Sequence, residues 1–152
     1  MTYQKILVPL SHVDESEKVF TQALNMAKQD NSTLKLFHCI PSDIYITPYG
    51  TFTTSQLTTL LPQWQKGLET EQQRVVEWLT DYAQQGSAQG ISVEWDWKIG
   101  DPSTSIVQIA KTWEADLIMM GRRGLTGLSE MLLGSVSNYV VHHVPCSILL
   151  IK

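Results

Sequence analysis

The sequence predicts an α/β domain in which an open parallel sheet carries helices on both faces, and three observations lead there. Five short runs suited to β-strands, at residues 5–9, 34–40, 91–99, 115–120 and 146–151, alternate with helix-like stretches. Four of these runs are continuously apolar, as strands covered on both faces are, and one alternates. The chain of 152 residues is 43% hydrophobic and only 17% charged, enough to bury one core, so a single domain is expected over residues 1–152.

The first run is Lys5-Ile6-Leu7-Val8-Pro9. A helix over 14–28 follows, with Asp14, Glu15 and Ser16 at the end that favours acidic and hydroxyl residues. Its Val19, Phe20, Ala23, Leu24, Met26 and Ala27 recur at helical spacing and predict packing on a sheet. After the second strand, residues 41–62 fit neither period and carry Tyr45, Pro48-Tyr49-Gly50 and Phe52. They read as a long loop, either a lid or partner surface or an ordinary surface excursion. The second helix, over 63–85, brings Trp64, Leu68, Val75, Val76, Leu79, Tyr82 and Ala83 onto one broad face, is weakened by Gly67, and is expected to stop near Gly86. In 91–99, Val93, Trp95 and Trp97 are opposed by Ser92, Glu94, Asp96 and Lys98, the pattern of an edge strand. The third helix follows Asp101-Pro102, with Ser103 as its expected cap and Ile106, Val107, Ile109, Ala110 and Trp113 inward. The fourth starts at Gly134-Ser135 and ends by His143, before Pro145. The last strand is apolar and, left as an open edge, would invite aggregation. Pairing with a second copy through Ser147–Ile151 covers it, so a homodimer is expected; a covering loop is the alternative.

Composition removes several function classes. With 11 Lys+Arg against 15 Asp+Glu, a net charge of −4 and no basic run, the chain has no electrostatic footprint for nucleic acid or an anionic membrane. Its apolar stretches are short runs such as 148–151, whereas a membrane span needs about 20 residues. The residues before Ile6 lack the pattern of a signal peptide, and the expected location is cytoplasmic. Cys39 and Cys146 sit in or beside apolar runs and read as small buried hydrophobes, not as a disulfide framework.

The chemistry concentrates after the fourth strand, in Met120-Gly121-Arg122-Arg123-Gly124 and, beyond a leucine-rich stretch, Gly134-Ser135-Val136-Ser137. Open α/β sheets bind ligands beyond the carboxyl ends of their strands. Gly121 and Gly124 permit close approach of backbone amides, and Gly134-Ser135 opens a helix whose free N–H groups attract an anion. The Ser135 and Ser137 hydroxyls with an arginine would complete a phosphate cradle; the other reading is a glycine-rich connection that binds nothing. A metal site is not expected at His142, His143 and Cys146, because adjacent helical residues diverge and Cys146 lies past Pro145. His38, on a buried strand, reads as a hydrogen-bonded core or ligand-side residue; His12, in the first βα loop, lies near any ligand there. Asp101 and Asp116 read as helix-start and strand-start residues. The first βα turn lacks the glycines of a dinucleotide fingerprint, no P-loop Gly-Lys-Ser/Thr is present, and neither paired carboxylates nor a nucleophile elbow supports catalysis.

Gly121-Arg122-Arg123-Gly124, nine residues and then Gly134-Ser135 resembles the ATP-binding motif of the universal stress protein family. Lys5-Ile6-Leu7-Val8-Pro9, Leu36-Phe37-His38-Cys39-Ile40, Gly100-Asp101-Pro102 and Val144-Pro145-Cys146 with the final strand resemble its other landmarks in order and spacing. The resemblance implies a Rossmann-like five-stranded sheet of order 3-2-1-4-5, a dimer through the last strand and a nucleotide between the ends of strands 1 and 4. Carried over by position, Pro9, Ser11 and Cys39, the last mainly through its backbone, would surround the adenosine. Met120, Gly121, Arg123, Gly124, Gly134, Ser135 and Val136 would surround the ribose and phosphates, with Mg or Mn riding on the phosphates. ATP-binding members usually carry an acid where this chain has Ser11, and Asp14 falls three residues too late to replace it. That exchange implies binding weaker by about 1 kcal/mol, one hydrogen bond's worth. The reading is an ATP-binding stress-response or regulatory homodimer with an unidentified protein partner, in which ATP or another adenine nucleotide orders residues 125–133. Its alternatives are an interaction module with a vestigial site and a slow ATPase.

Overall fold

The computed structural model describes residues 2–11, 15–42, 53–122 and 133–152. Its elements in chain order are β1 (Lys5–Pro9), α1 (Glu15–Asp30), β2 (Thr33–Pro41), α2 (Thr54–Ala88), β3 (Ser92–Gly100), α3 (Pro102–Thr112), β4 (Leu117–Gly121), α4 (Ser135–His143) and β5 (Ser147–Ile151). The strands form one sheet of order β3-β2-β1-β4-β5, with every neighbouring pair parallel. The alternating strand is an edge, as its pattern predicts.

Strand residues alternate between two cores because successive side chains point to opposite faces. Ile6, Val8, Leu34, Leu36, Leu117 and Met119 pack with Val19, Phe20 and Ala23 of α1 and Val75 and Leu79 of α2. Leu7, Phe37, Cys39, Ile118 and Met120 pack with Ile106, Val107 and Ala110 of α3 and Val140 of α4. Among the described residues no helix is long and apolar enough to cross a membrane.

The starts of β1, β4 and β5 are stitched by Asp116. Its carboxylate accepts from the Gln4 and Lys5 amides at 2.8 and 3.1 Å, its own N–H donates to the Lys5 carbonyl at 3.0 Å, and its carbonyl accepts from Ser147 at 3.2 Å. Beside it the Lys5 ammonium donates to the Trp113 carbonyl at 3.1 Å, and Lys5 and Lys35 lie 5.6 and 5.1 Å from the Trp113 ring centre.

Three expectations are corrected. The second helix begins at Thr54, not near residue 63, because Thr53 and Gln56 form a reciprocal capping box: Thr53 Oγ1 accepts from the Gln56 amide at 3.4 Å, and Gln56 Oε1 from the Thr53 amide at 2.9 Å. Pro62 is carried inside an exposed stretch of this helix. The supposed loop over 41–62 therefore shrinks: Pro41 ends β2, 54–62 are helical, and its remainder, 43–52, lies outside the described residues together with the lid reading. The cap of α3 is Asp101, not Ser103; its carboxylate accepts from the Thr104 amide at 2.9 Å and the Thr104 hydroxyl at 3.0 Å.

α2 ends at Ala88, near Gly86 as expected. The chain turns at Gly90, φ +78°, and the amides of Gly90 and Ile91 return to the Ser87 and Gly86 carbonyls at 3.0 and 3.1 Å. Helices α1 and α3 end alike, with Asn31 and Glu114 at φ 57° and with Ser32 and Ala115 bonded back to Ala27 and Ala110 at 3.0 and 2.9 Å. Each ending delivers a buried residue, Ser32, Ile91 or Ala115, to the following strand. Gly86 instead lets α2 sit close to β3, since a Cβ there would stand 2.5 Å from Val93 Cγ2. Gly86→Ala is accordingly expected to cost about 1–3 kcal/mol through overpacking. Gly67→Ala, whose Cβ would meet nothing within 4 Å, is expected to gain about 0.5–1 kcal/mol. Urea unfolding of the two variants checks the opposite signs.

Candidate functional site

The inner strands part at their carboxyl ends. β1 and β4 pair only at Ile6↔Leu117 and Leu7↔Ile118, although β1 continues against β2 to Pro9↔Phe37 and β4 against β5 to Gly121↔Ile151. The Leu10 amide donates to Phe37 across on β2 at 2.8 Å, so by alternation the backbone of Pro9 faces β4. Proline has no N–H to extend that ladder. The parting coincides with the place where the strand order reverses: β1 leads through α1 to one side, and β4 is reached through α3 on the other. A crevice at such a point is where doubly wound sheets bind ligands.

Predicted site residues gather around this opening. Pro9 is half-buried and Ser11 is exposed, on the β1 side. Cys39 and Met120, near the carboxyl ends of β2 and β4, have their side chains buried in the core layer shared with α3 and α4. The Cys39 sulfur lies 3.7 Å from the Ser105 hydroxyl. Gly121 is half-buried, with Glu15 Oε2 3.4 Å from where its Cβ would stand. Because α4 runs back along the sheet from β4 to β5, its first turn lies at the same carboxyl end. Gly134 is its N-cap and supplies no side-chain bond, Asn138 being bonded back to the Gly134 carbonyl at 2.9 Å. The amides of Ser135, Val136 and Ser137 thus open the helix without a side-chain cap, and its dipole favours an anion there. Ser135 is exposed and Val136 packs against the core. The Ser137 hydroxyl is not available as expected: it is buried and donates to the Gly134 carbonyl at 3.1 Å. Arg123, Gly124 and His12 lie outside the described residues.

Two residues that the site reading passed over stand behind Ser11. Ser16, in the first turn of α1, is buried; its hydroxyl accepts from the Ser11 amide at 3.0 Å and donates to the Ser11 carbonyl. His38 is buried, its Nδ1 donates to the Leu10 carbonyl at 2.8 Å, and its ring meets that of Trp78 edge-on at 5.4 Å. At 38 a hydrogen-bonded core or ligand-side histidine was expected; it is buried and hydrogen-bonded, and its partner is the strand end beside Ser11. At the far end of α4, His143 donates to the Tyr139 carbonyl at 2.7 Å. Among the described residues no three His, Cys, Asp or Glu side chains converge on a metal position.

The sequence profile of the universal stress protein family matches residues 2–152. Universal stress protein Sll1388 of Synechocystis sp. is 41% identical over 157 residues, an alignment that covers 100% of this chain and 99% of that protein. Among solved structures, universal stress protein UspA from Lactobacillus plantarum has a TM-score of 0.81 at 26% identity, covering 100% of this chain and 99% of that one. A universal stress protein in complex with cAMP has a TM-score of 0.71 at 20% identity, covering 100% and 98%.

Burial pushes the Cys39 thiol above its ordinary pKa, against a smaller opposing pull from the Ser105 hydrogen bond. The thiolate is the reactive form, so Cys39 is expected to alkylate at pH 7 more than about tenfold slower in the folded protein than in urea. Mass spectrometry of iodoacetamide-treated protein checks this, and equal rates would show an open, ionised thiol.

Proposed function

Because the chain belongs to the universal stress protein family, we propose that it is an ATP-binding, homodimeric stress-response regulator with its nucleotide between the carboxyl ends of β1 and β4. The observation that carries this reading is the uncapped first turn of α4 at the carboxyl end of the sheet, where Pro9 lets β1 and β4 separate. The first-turn amides of Ser135, Val136 and Ser137, which Gly134 does not cap with a side chain, are suited to an anion, and the base is placed between the two strand ends. Pro9 and the Cys39 backbone take the adenosine, and the Ser11 hydroxyl takes a ribose or base atom. Met120 and Gly121 supply backbone beside the ribose, and Arg123, Gly124 and Ser135 hold the phosphates. Mg or Mn rides on the phosphate oxygens with few protein ligands. The cAMP complex of a similarly folded family member supports an adenine nucleotide as the ligand class. Occupancy is read out through residues 125–133, of which 125–132 lie outside the described residues, and changes a surface seen by a protein partner in the cytoplasm. These residues bind and orient; any hydrolysis is a slow consequence.

The two edges of the sheet support the dimer. β3 is blunted by Glu94, Asp96 and Lys98, and Asp96 Oδ1 accepts from the Trp97 amide at 2.8 Å. β5 carries Ser-Ile-Leu-Leu-Ile without a charge and leaves Leu149 37% exposed. An unprotected apolar edge of this kind is stabilised by pairing with its own copy.

Calorimetry with ATP, with and without Mg²⁺, is expected to give a Kd on the order of micromolar for the wild type. Gly124→Val and Ser135→Ala are each expected to weaken it by about tenfold or more, and Ser11→Asp to tighten it about fivefold. No binding at millimolar ATP would favour the second reading, an interaction module whose Ser11 marks a disabled site. In sedimentation the wild type is expected as a dimer and Leu149→Lys as a folded monomer; a monomeric wild type would remove the edge argument.

A further inference from the structure

The corner formed by Leu10 and Ser11 ends β1 and turns toward α1, and its backbone is fully engaged by the protein. The Leu10 amide donates to the Phe37 carbonyl at 2.8 Å. The Leu10 carbonyl accepts from His38 Nδ1 at 2.8 Å. The Ser11 amide donates to Ser16 Oγ at 3.0 Å, and the Ser11 carbonyl accepts from the same hydroxyl. Both N–H donors are therefore spent and both carbonyls already have a partner. What this corner offers outward is the side chain of residue 11, which is exposed.

Two of the three partners are side chains, His38 and Ser16. A hydrophobic residue would suit the buried position of His38 in β2, between Leu36 and Ile40 on the same face. A histidine there instead reaches across to the neighbouring strand, and because a carbonyl only accepts, Nδ1 carries the proton. The Trp78 ring, edge-on at 5.4 Å, limits the imidazole's freedom to turn away. Ser16 is likewise buried in the first turn of α1 while its hydroxyl reaches back to Ser11 rather than along its own helix.

We propose that His38 and Ser16 are positioning residues of the adenine-nucleotide site. Together they fix the Leu10–Ser11 peptide so that the Ser11 hydroxyl meets the ligand at a set distance, and ligand affinity depends on them through Ser11. This rests on the nucleotide reading above. It adds that the serine at position 11, though weaker than an acid there, keeps its hydrogen bond through a rigid backbone: a short neutral side chain makes its one hydrogen bond well only when its Cα does not wander.

The test compares His38→Leu, which removes the donor, with His38→Asn, whose amide nitrogen can take the place of Nδ1. ATP affinity, the urea midpoint, and the hydrogen exchange of the Leu10 and Ser11 amides are read for each. His38→Leu is expected to bind ATP about tenfold more weakly, the worth of one well-made hydrogen bond, and to exchange the Ser11 amide faster. His38→Asn is expected to stay within about twofold of the wild type in affinity, for the same donor is retained. Ser16→Ala against Ser16→Thr gives the same comparison from the other side and serves if His38→Leu fails to fold. Wild-type affinity in both His38→Leu and Ser16→Ala overturns the proposal while leaving the nucleotide site standing. If the wild type itself does not bind ATP, the nucleotide reading fails, and with it the role given to these residues; the exchange data then report only whether the corner is held.

Discussion

The site depends on a sheet whose two central strands are joined at one end and released at the other. Asp116 ties the beginnings of β1, β4 and β5 with backbone and carboxylate bonds that leave little freedom of register. Four residues further along β1, Pro9 brings no N–H to β4 and the ladder stops after Leu7↔Ile118. Neither strand is left unsupported, because each keeps its outer neighbour to the end. A gap can therefore exist at the centre of the sheet without exposing a free strand, which is what a ligand site between two parallel strands requires.

The helices set the height and tilt of that opening. α1, α2 and α3 end with a left-handed residue and a backward bond to a carbonyl, so each following strand starts on a residue already fixed against the core. Gly86 draws α2 onto β3 and Leu24, and this fastens the outer part of the sheet to the same layer as α1. On the opposite face α3 and α4 share one core with Cys39 and Met120, so the backbone on both sides of the crevice rests on a single packed layer. A displacement of α4 is consequently felt at β4 and β2 together.

Most of what this mouth can offer a ligand is main chain. In the proposed site Pro9, Cys39, Met120 and Gly121 would contribute backbone and the first turn of α4 its amides, while Ser11 and Ser135 are exposed. Such a helix start suits a ligand that carries negative charge, and binding of the proposed kind needs no nucleophile or ionised thiol. On the proposed function, a nucleotide acts as a regulator only to the extent that it binds one state of the protein better than another.

Strand runs, helix faces and the edge character of β3 are legible in the chain because apolar spacing reports burial directly, with period two for a half-exposed strand and 3.6 for a helix. The glycine spacing that marks the candidate site is legible too, since close backbone approach restricts residue type locally. The start of α2 rests on the Thr53 and Gln56 capping box, whereas residues 41–62 show neither period and so read as a loop. Ser103 shows the opposite failing: it is a suitable cap by type, while a carboxylate cap at Asp101 prevails; the end of α2, expected near Gly86, falls at Ala88. The order of the strands is invisible to periodicity and came from family likeness. No local pattern reveals that Ser137 turns inward, that Asp116 ties three strands, or that His38 holds Leu10 from 28 residues away. Those assignments are hydrogen bonds between groups brought together by folding, and a bond across the sheet leaves no spacing in the chain that makes it.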